Sequence, residues 1–451
     1  MLKELLKPDI EDLIDNRAWN DLREVLSSWP SPEIADLLLD IDKKDKVLLF
    51  RALTREISSD VFSYLEYEDQ DELLKALSDQ ETREILEDLS PDDRTALLEE
   101  LPAKVTLRML NLLSAEDLKE ARLLLGYPED SVGRRMTPDF VAVKQDWTVK
   151  QALDHLRVFG KDSETLYRVY ITDKSGKLID DILLRNIILC DETEYISKLM
   201  DFNVVALSAF DDQEKAVKVM EKYDLHALPV VDSKGLLVGI VTFDDVFDIY
   251  EEESTEDIQK LGGMSPVYQS YVSSSSFKLY QKRLPWLMAL LLTSFVSASL
   301  IDHYESVNRA YLILASFIPM LIGSAGNTGT QSSTLIIRAL STGDLEYTDW
   351  GLVIKKELIL GLFLGITLAL VAFLRVIFKG NSFFDFALVI SISMFAMITW
   401  ANIIGSILPL ILARFRLDPA VISNPLIATI LDSTGIMIYY NVAIYLLDFK
   451  L

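Results

Sequence analysis

The 451-residue sequence is poor in the side chains that form disulfides and zinc sites. It has one cysteine, Cys190, and three scattered histidines, His155, His226 and His303. These numbers exclude a disulfide framework and a cysteine- or histidine-rich zinc centre. The single cysteine suits a reducing compartment for the soluble part. The first residues, MLKELLKPDIEDL, have no apolar core of the signal-peptide type, so we expect no cleaved leader.

Basic residues are scarce in the first part of the chain. Residues 1–260 carry 32 Lys and Arg against 59 Asp and Glu, a net charge of −27, whereas residues 261–451 carry 12 against 10. Such an acidic surface repels nucleic acid and attracts cations, although it also serves simply to keep a domain soluble. We therefore expect divalent cations, and no nucleic acid, as partners. The sequence has no recognisable nucleophile–base pair, phosphate loop or cofactor motif, so we do not expect an enzyme.

Charged residues are nearly absent from five long runs in the second part. The runs are 284–301, 310–337, 358–374, 386–413 and 419–447. A helix needs about 20 apolar residues to cross a bilayer. The pattern therefore predicts an all-α transmembrane domain with five helices.

The basic residues between these runs indicate an orientation. With the N-terminus inside, eight Lys and Arg fall in the inner segments and four in the outer ones. Positive residues accumulate on the cytosolic side of membrane proteins. We therefore expect a cell-membrane protein with its N-terminal domains in the cytosol and its C-terminus outside.

The second run is unusually polar for a membrane span. It contains IPMLIGSAGNTGTQSSTLIIRAL, in which Asn327 and Gln331 share one helix face. Small residues allow close helix packing, which is one explanation of the composition. A polar face against lipid is costly, however, so a face toward a water-filled pathway explains the amide pair better.

The fifth run carries one formal charge, Asp432, the 14th residue of the 29 in 419–447. No basic residue lies in the interior of any predicted span, so an intramembrane ion pair is not expected. Asp432 is then either protonated and silent or in contact with a cation in water. Pro425 and Gly435 bracket a stretch in which freed carbonyl groups could face a pore.

Between Asp40 and Leu113 the chain repeats with a period of 12. Leucine or isoleucine recurs without a slip at 41, 53, 65, 77, 89, 101 and 113. Short helices separated by breaks give this pattern, as in LEDLSPDDRTALLEEL, where Ser90 can cap a helix with Pro91 at its first position and Asp93 in a capping-box position. Ser114 and Asp117 repeat this arrangement. We predict an α-solenoid that binds or braces another structure.

Residues 136–250 contain a duplicated unit. RVYITDKSGKLIDDILLRNII and LPVVDSKGLLVGIVTFDDVFD align, with Gly176 matching Gly235. Each unit predicts a strand, a tight turn, a second strand and a helix. The segment is therefore expected to be an α/β tandem.

The tandem resembles a pair of cystathionine-β-synthase (CBS) domains, and the whole chain resembles the MgtE family of magnesium channels. The most specific motifs are GNTGTQSSTLIIRAL in the second span and DPAVISNPLIATILDSTG at the start of the fifth. The resemblance implies a helical N-type domain at 1–130, a CBS pair at 131–252, a connecting plug helix at 253–280 and a transmembrane domain of five helices at 281–451. Within the plug, Gly262 and Gly263 suggest a break.

The resemblance also implies a homodimer in membrane lipid, with one pore on the two-fold axis between the second and fifth spans. Asp432 matches the family's pore carboxylate, and two of them would face one hydrated Mg²⁺, an ion that loses its waters reluctantly. The further pore-lining residues implied are Gly326, Asn327, Gly329, Asn424 and Thr429.

The same resemblance assigns Mg²⁺ a second role as the regulatory ligand. Mg²⁺ bound between acidic cytosolic faces would hold the domains together and close the pore through the plug helix, which is a two-state equilibrium biased by the ion. The matching positions are Asp212, Glu214, Asp224, Asp245, Asp248, Glu253, Glu256 and Asp257, with Asp418 at the cytosolic mouth. Asp92 and Asp93 are further candidates from the solenoid.

ATP is a second ligand that the resemblance raises, because CBS domains often hold a ribose with Ser/Thr-x-x-Asp. The second repeat has Thr242 and Asp245 in this spacing. The first repeat has Leu183, Arg185 and Asn186 in the corresponding stretch, without the hydroxyl and the carboxylate. This departure argues against regulation by ATP.

The sequence thus favours a Mg²⁺-selective channel that imports Mg²⁺ and is closed by cytosolic Mg²⁺. Two alternatives stay open. One is a divalent-cation carrier coupled to H⁺ or Na⁺, in which Asp432 takes the proton. The other is a membrane-anchored ion or nucleotide sensor that conducts nothing, although an anchor needs no polar stripes.

Overall fold

The computed structural model describes residues 10, 12–14, 16–65, 67–267, 271, 274–304, 307, 312–378, 384–415, 417–419 and 424–447. The chain divides into two compact units, Met1–Glu251 and Glu252–Leu451. The first unit contains short helices and two small sheets, and the second contains the long apolar helices.

Short helices follow one another through the first part of the first unit. They are α1 (Trp19–Leu26), α2 (Ser31–Leu39), α3 (Lys43–Ala52), α4 (Arg55–Ser63), α5 (Tyr67–Ala76), α6 (Asp79–Asp88), α7 (Pro91–Glu100), α8 (Ala103–Leu110) and α9 (Ala115–Leu124). Leu53, Leu89 and Leu101 end their helices in extended backbone conformation with buried side chains. The 12-residue period therefore marks the positions where each helix stops and anchors in the common core, and the predicted solenoid is confirmed.

The two serines expected to cap helices behave differently. The Ser114 hydroxyl accepts a hydrogen bond from the Asp117 amide at 3.2 Å, as predicted. Ser90 precedes α7 with Pro91 at the first helical position, but its side chain makes no capping bond. It instead hydrogen-bonds the carboxylate of Asp93. The capping box predicted at Ser90 is therefore not formed.

Two small sheets of identical topology follow a short helix, α10 (Val132–Arg135). The first sheet contains β1 (Ala142–Lys144), β2 (Arg168–Thr172) and β3 (Leu178–Leu183), with α11 (Val149–Phe159) before its hairpin and α12 (Leu184–Ile188) after it. The second contains β4 (Leu207–Ser208), β5 (Ala227–Val231) and β6 (Leu237–Thr242), with α13 (Gln213–Tyr223) and α14 (Phe243–Leu261) in the same places. In each sheet the first pair of strands is parallel and the second antiparallel.

The hairpin turns show why the duplication was visible in the sequence. Gly176 and Gly235 have φ of +88° and +80°, a backbone region that side chains disfavour. Asp173 and Asp232 precede them, and each carboxylate accepts hydrogen bonds from backbone amides of its own turn. The α/β tandem is confirmed by these two matching turns.

The segment expected as a separate plug helix is divided differently in the structure. Helix α14 continues through residue 253 without interruption and ends at Leu261, where Gly263 adopts φ of +72° and the Met264 amide donates to the Gln259 carbonyl at 3.2 Å. This is a Schellman-type helix end, so the predicted break at the two glycines is where the helix stops. No helix-breaking residue separates 252 from 253, so residues 253–261 of the predicted plug are the end of α14, and its residues 276–280 belong to the next long helix, Ser276–His303. Residues 268–270, 272 and 273 of the predicted plug lie outside the described residues.

The second unit contains the long helices. They are α15 (Ser276–His303), the short α16 (Leu312–Ala315), α17 (Ile318–Ser341), α18 (Trp350–Ile377), α19 (Phe384–Arg414) and α20 (Asn424–Leu446). Within the described residues, four segments are long and apolar enough to cross a membrane: Ser276–His303, Tyr347–Ile377, Phe384–Arg414 and Asn424–Leu446. Helix α17 forms over 24 residues but falls outside this set. Its glycines, amides and hydroxyls lower its hydropathy, so the fifth span stays a prediction.

Helices α17, α19 and α20 enclose the core of the second unit. Leu321 and Ala325 of α17, Ile398 of α19, and Ile427 and Leu431 of α20 are buried together there. Helix α20 is continuous from Asn424 to Leu446, so Pro425 lies in its first turn and does not interrupt it. The Pro425 carbonyl accepts from the Thr429 hydroxyl at 2.8 Å. The expected run of freed carbonyls is therefore not formed.

Candidate ion pathway and acidic cluster

A polar stripe runs along the exposed face of α17. Gly323, Asn327, Gln331 and Thr334 recur at spacings of three or four residues and are exposed. Neither Asn327 nor Gln331 has a hydrogen-bond partner among the described residues. The opposite face, including Ala325, Ser332 and Ile336, is buried against the other helices. The amide pair predicted to face an aqueous pathway is thus exposed on the surface of the single chain.

Two glycines of the predicted pore motif have a packing role. A Cβ at Gly326 would lie 3.7 Å from the Cβ of Ala428, and one at Gly329 would lie 2.3 Å from Leu431 Cδ1. Both glycines are buried where α17 and α20 cross. The backbone continues as helix through 326 and 327. Gly326 and Gly329 therefore lie at the contact between the two helices, where a Cβ fits at Gly326 and requires a shift of the Leu431 side chain at Gly329. The neighbouring Asn327 is exposed.

Asp432 lies on α20 beside this crossing. Its side chain is partly buried, and no Lys, Arg or His within the described ranges lies at ion-pair distance from it. The next residue, Ser433, forms a hydroxyl–hydroxyl contact of 2.7 Å with Ser297 of α15.

One end of the crossing is marked by a second polar pair. The Thr334 hydroxyl donates to Asn424 Oδ1 at 3.5 Å, which connects α17 to the first residue of α20. Thr429 is partly buried, and its hydroxyl is used within its own helix. Among the predicted lining residues, Asn327 has no hydrogen-bond partner within the described residues, and Asn424 has one long hydrogen bond. The Thr429 hydroxyl already donates within its own helix, so it can only accept a further hydrogen bond.

A buried carboxylate in the same unit was missed from the sequence. Glu357 of α18 is 6% exposed and accepts from the Ser332 hydroxyl at 2.8 Å. Ser332 also lies 3.2 Å from the Asn402 carbonyl oxygen, so the three residues join α17, α18 and α19. Glu357 follows two lysines at the edge of an apolar run, where it looked like part of a charged loop. Only the packing shows that it faces inward.

In the first unit, acidic residues from distant segments converge. Asp92 and Asp93 at the start of α7 interact electrostatically with Asp244, Asp245 and Asp248 at the start of α14. Asp139 and Glu164 join the same group through Asp92, and they were not among the predicted ligands. We call these seven residues the acidic cluster. Their separation in sequence, with no shared motif, left Asp139 and Glu164 without a signal.

The pKa values in the acidic cluster report crowding of like charges. Burial, then repulsion from Asp92, raises the pKa of Glu164 to about 7 and that of Asp93 to about 6. The same two causes raise the pKa of Asp245 well above its usual range. One carboxylate oxygen of Asp92 is buried without a hydrogen-bond partner in the part of the chain that the structure describes. A bound cation would relieve both the repulsion and the unsatisfied oxygen.

Three other predicted ligands lie along α13. Asp212 caps the helix by accepting from the Glu214 amide at 2.9 Å, and Asp224 ends it in the left-handed conformation with φ of +51°. A helix rises 1.5 Å per residue, so its two ends are roughly 17 Å apart. Asp212 and Asp224 of one chain therefore cannot share an ion.

The acidic residues at the end of α14 and before α20 have a basic neighbour. Lys260 forms ion pairs with Glu256 of its own helix and with Asp418, whose carboxylate lies 2.6 Å from Lys260 Nζ. These carboxylates raise the pKa of Lys260 despite its partial burial. Glu253 and Asp257 are partly buried on the same helix. Lys260 was not considered from the sequence, where it follows a run of acids without a distinguishing pattern.

Across the described residues, no three or more His, Cys, Asp or Glu side chains are arranged closely enough to hold a metal ion directly. The acidic cluster thus gathers charge without forming a preassembled ligand sphere. An ion held there would keep most of its water, as Mg²⁺ does readily.

The two stretches considered for a nucleotide differ as their sequences suggested. The Thr242 hydroxyl donates to Asp245 Oδ2 at 2.6 Å and also contacts Asp244. Arg185 and Asn186 are exposed on α12, where no equivalent hydroxyl–carboxylate pair exists. The second repeat alone has the donor and acceptor groups that suit a ribose.

Family models match three parts of the chain. Residues 318–442 match a divalent cation transporter domain (MgtE), residues 29–130 match the MgtE intracellular N domain, and residues 196–252 match the CBS domain. Two structures of similar proteins cover the N-terminal part. One is the cytosolic domain of the Mg²⁺ channel MgtE in complex with ATP, which is 35% identical and covers 54% of this chain and all of that one, with a TM-score of 0.52. The other is the soluble part of a magnesium transporter, 28% identical, which covers 56% and 99% with a TM-score of 0.53.

Full-length relatives show the same similarity across both units. A magnesium transporter MgtE from Thermus thermophilus is 41% identical over 341 residues, which is 76% of this chain and 75% of that protein. One from Enterococcus faecalis is 35% identical over 435 residues, or 96% and 95% of the two chains. Transport, not enzymatic catalysis, is the activity of this family. The chain belongs to the MgtE family of magnesium transporters.

Proposed function

We propose that this protein is a Mg²⁺-selective channel that imports Mg²⁺ across the cell membrane and is closed by cytosolic Mg²⁺. The observation that carries the proposal is Asp432, a carboxylate in the middle of a 23-residue apolar helix that has no ion-pair partner among the described residues. A charge at this depth is costly unless water or a counter-ion meets it. A passing hydrated dication supplies both.

The pathway in this proposal lies along α17 and α20. Asn327 and Gln331 line it with amide groups, and Asn424 stands at one end in contact with Thr334. Amide oxygens and carboxylates suit hydrated Mg²⁺, which prefers oxygen ligands and retains several waters. The family resemblance supports a homodimer in which two such pathways merge and two Asp432 side chains face one ion.

An exposed apolar helix supports the same assembly. The apolar part of α15 buries none of its residues within the chain, so its surface is left for lipid or a second copy. With the acidic domains in the cytosol, as the distribution of basic residues favours, the first unit would sample the internal Mg²⁺ concentration.

Regulation would act through the acidic cluster. Asp92, Asp93, Asp245 and Asp248 bring like charges from α7 and α14 together, at an electrostatic cost that the raised pKa values report. Mg²⁺ among them would lower this cost and hold the two helices together, whereas its loss would favour separation. Asp212, Glu214, Asp224, Glu253 and Asp257 are proposed as further ligands, completed by water or by a second chain.

ATP is a secondary ligand in this proposal. The similar cytosolic domain is described as a complex with ATP. In this chain Thr242 and Asp245 are the groups that would hold a ribose, while Asn186 replaces the matching carboxylate of the other repeat. We therefore expect at most one nucleotide per chain, in competition with any Mg²⁺ that uses Asp245.

The test is Mg²⁺ uptake into liposomes that contain the purified protein. Asp432→Asn keeps the shape of the side chain and removes its charge, and Asp385→Asn is the matched control, because Asp385 is an exposed carboxylate in the first turn of α19. We expect Asp432→Asn to lower the Mg²⁺ flux at least tenfold and Asp385→Asn to leave it unchanged. Equal Mg²⁺ flux through the parent protein and both variants would refute the pathway.

The same liposomes discriminate between the channel and the two alternatives. A proton-coupled carrier would show Mg²⁺ uptake that depends on a pH gradient and loses this dependence in Asp432→Asn. A sensor would show no uptake in any variant. Only the channel combines uptake driven by the Mg²⁺ gradient alone with a loss of rate in Asp432→Asn.

A further inference from the structure

Arg94 is a buried cation beside the acidic cluster that the proposed function does not use. It directly follows Asp92 and Asp93 on α7, and its side chain is 2% exposed. Nε of Arg94 is buried and has no hydrogen-bond partner in the part of the chain that the structure describes. Because the guanidinium is shielded from water, its charge acts on neighbouring carboxylates with less screening than a charge at the surface.

Three contacts hold the Arg94 guanidinium in place. Nη2 donates to the Glu120 carboxylate at 2.6 Å, and Nη1 donates to the Leu86 carbonyl at 3.1 Å. Nη1 also lies 3.4 Å from the Asp117 carboxylate. Leu86 belongs to α6, whereas Asp117 and Glu120 belong to α9. Arg94 therefore ties the start of α7, which carries two carboxylates of the acidic cluster, to α6 and α9.

Asp139 connects Arg94 to the acidic cluster. Burial and repulsion from Asp92 raise the pKa of Asp139, and attraction to Arg94 opposes that rise. Burial also raises the pKa of Glu120, where attraction to Arg94 opposes the rise and repulsion from Asp139 adds to it. The charges of Arg94 and Glu120 thus act on the cluster, although neither residue belongs to it.

We propose that Arg94 is an internal counter-charge of the acidic cluster and that it sets the Mg²⁺ concentration at which the cluster binds an ion. Arg94 contacts no ion in this role. Its positive charge offsets part of the negative potential of the cluster and so lowers the affinity for a dication, while Glu120 offsets part of the charge of Arg94. The inference rests on the proposed function, because it takes the acidic cluster as the regulatory Mg²⁺ site.

A purely structural role for Arg94 predicts the opposite effect of its removal. If Arg94 only positioned α7, its loss would displace Asp92 and Asp93 and weaken Mg²⁺ binding. If its charge dominates, Arg94→Met strengthens Mg²⁺ binding, and removal of a neighbouring negative charge weakens it. Glu120→Gln is the better choice for the second change, because the Asp117 carboxylate also accepts from the hydroxyl of Ser114, which caps α9.

Hydrogen exchange tests these signs on the full-length protein in detergent. Exchange at the start of α7 and of α14, measured over a range of Mg²⁺ concentrations, gives the midpoint of Mg²⁺ binding at the cluster. We expect Arg94→Met to lower this midpoint about three- to tenfold and Glu120→Gln to raise it about two- to fivefold, since a dication interacts twice as strongly as a monovalent ion with each charge. The two changes together keep the net charge of the parent and should restore its midpoint to within about twofold. Arg94→Lys also retains the charge and should keep the parent midpoint.

The matched control is Arg51→Met. Arg51 forms an ion pair with Glu81 in the same solenoid but is exposed, so its loss should leave the midpoint unchanged. Parent-like midpoints in Arg94→Met and Glu120→Gln, or shifts of both in the same direction, would overturn the inference. If Arg94→Met does not fold, Glu120→Gln carries the test alone, with a raised midpoint expected and an unchanged or lowered one refuting it.

Failure of the proposed function gives different results. A parent protein whose exchange does not respond to Mg²⁺ would refute the acidic cluster as the regulatory site, and this inference with it. Midpoints that shift as expected, in a protein whose Mg²⁺ uptake into liposomes is not slowed by internal Mg²⁺, would refute the proposed gating and leave the role of Arg94 standing.

Discussion

Gly405 of α19 and Gly329 of α17 meet where the two helices cross, and the distances there allow a quantitative prediction. A Cβ at Gly405 would lie 2.3 Å from the Gly329 carbonyl oxygen and 3.0 Å from two further backbone atoms of Gly329. A Cβ at Gly329 would also meet an atom at 2.3 Å, but that atom is Leu431 Cδ1, the far end of a side chain. The nearest distances are equal, and the kind of atom differs.

The kind of atom that the new Cβ meets decides whether each substitution lowers the stability of the protein. In Gly405→Ala the obstacle is backbone, so the helices must separate by about 1 Å, and overpacking of this kind costs about 1–3 kcal/mol. Alanine recovers about 1 kcal/mol through its higher helix propensity. With the cost near the top of its range, the net loss is about 1–2 kcal/mol. In Gly329→Ala the leucine can rotate away, and the two contributions approximately cancel.

Thermal unfolding in detergent measures this contrast. For a unit of about 200 residues, 1–2 kcal/mol corresponds to about 2–8 °C in Tm. The Tm of Gly405→Ala is expected to fall by this amount, and the Tm of Gly329→Ala is expected to stay within about 2 °C of the parent value. The control is Gly351→Ala in the first turn of α18, where a Cβ has nothing within 4 Å and propensity alone acts. A Tm for Gly405→Ala equal to or above that of Gly351→Ala would refute the reasoning.

Three further substitutions test other parts of the structure. Ser114→Ala should lower the stability of the first unit by about 1 kcal/mol, and Ser90→Ala by much less, since only Ser114 caps its helix; equal losses in chemical denaturation would contradict this. Gly235→Ala should cost about 1–3 kcal/mol, because its φ is +80°, and an unchanged denaturation midpoint would contradict it. Glu357→Ala should lower the Tm and, through Ser332, the Mg²⁺ flux; a parent-like Tm would exclude the proposed link.

The sequence predicted those parts of the fold that repeat or alternate. The 12-residue period placed the solenoid because the recurring residues follow the ends of successive short helices and, from Ile41 to Leu101, are buried in the core. The hairpins of the tandem were recognisable because Gly176 and Gly235 require positive φ. Asp432 was identified as a candidate because a lone charge in an apolar run is costly wherever the helix lies.

Properties that depend on which helices touch were not accessible from the sequence. Gly326 and Gly329 read as pore lining, but their direction depends on where α20 crosses α17. Glu357 and Lys260 looked like ordinary charges at helix ends, and only tertiary contacts with Ser332 and Asp418 distinguish them. Asp139 and Glu164 join the acidic cluster through the fold of the tandem, without any motif.

The central claim is that internal Mg²⁺ closes a pathway for Mg²⁺ itself. The most direct test measures Mg²⁺ uptake by the intact protein in liposomes at the same inward gradient with low and with high internal Mg²⁺. The account predicts rapid uptake at low internal Mg²⁺ and at least tenfold slower uptake when internal Mg²⁺ saturates the acidic cluster. Equal uptake under both conditions, or none under either, would contradict it.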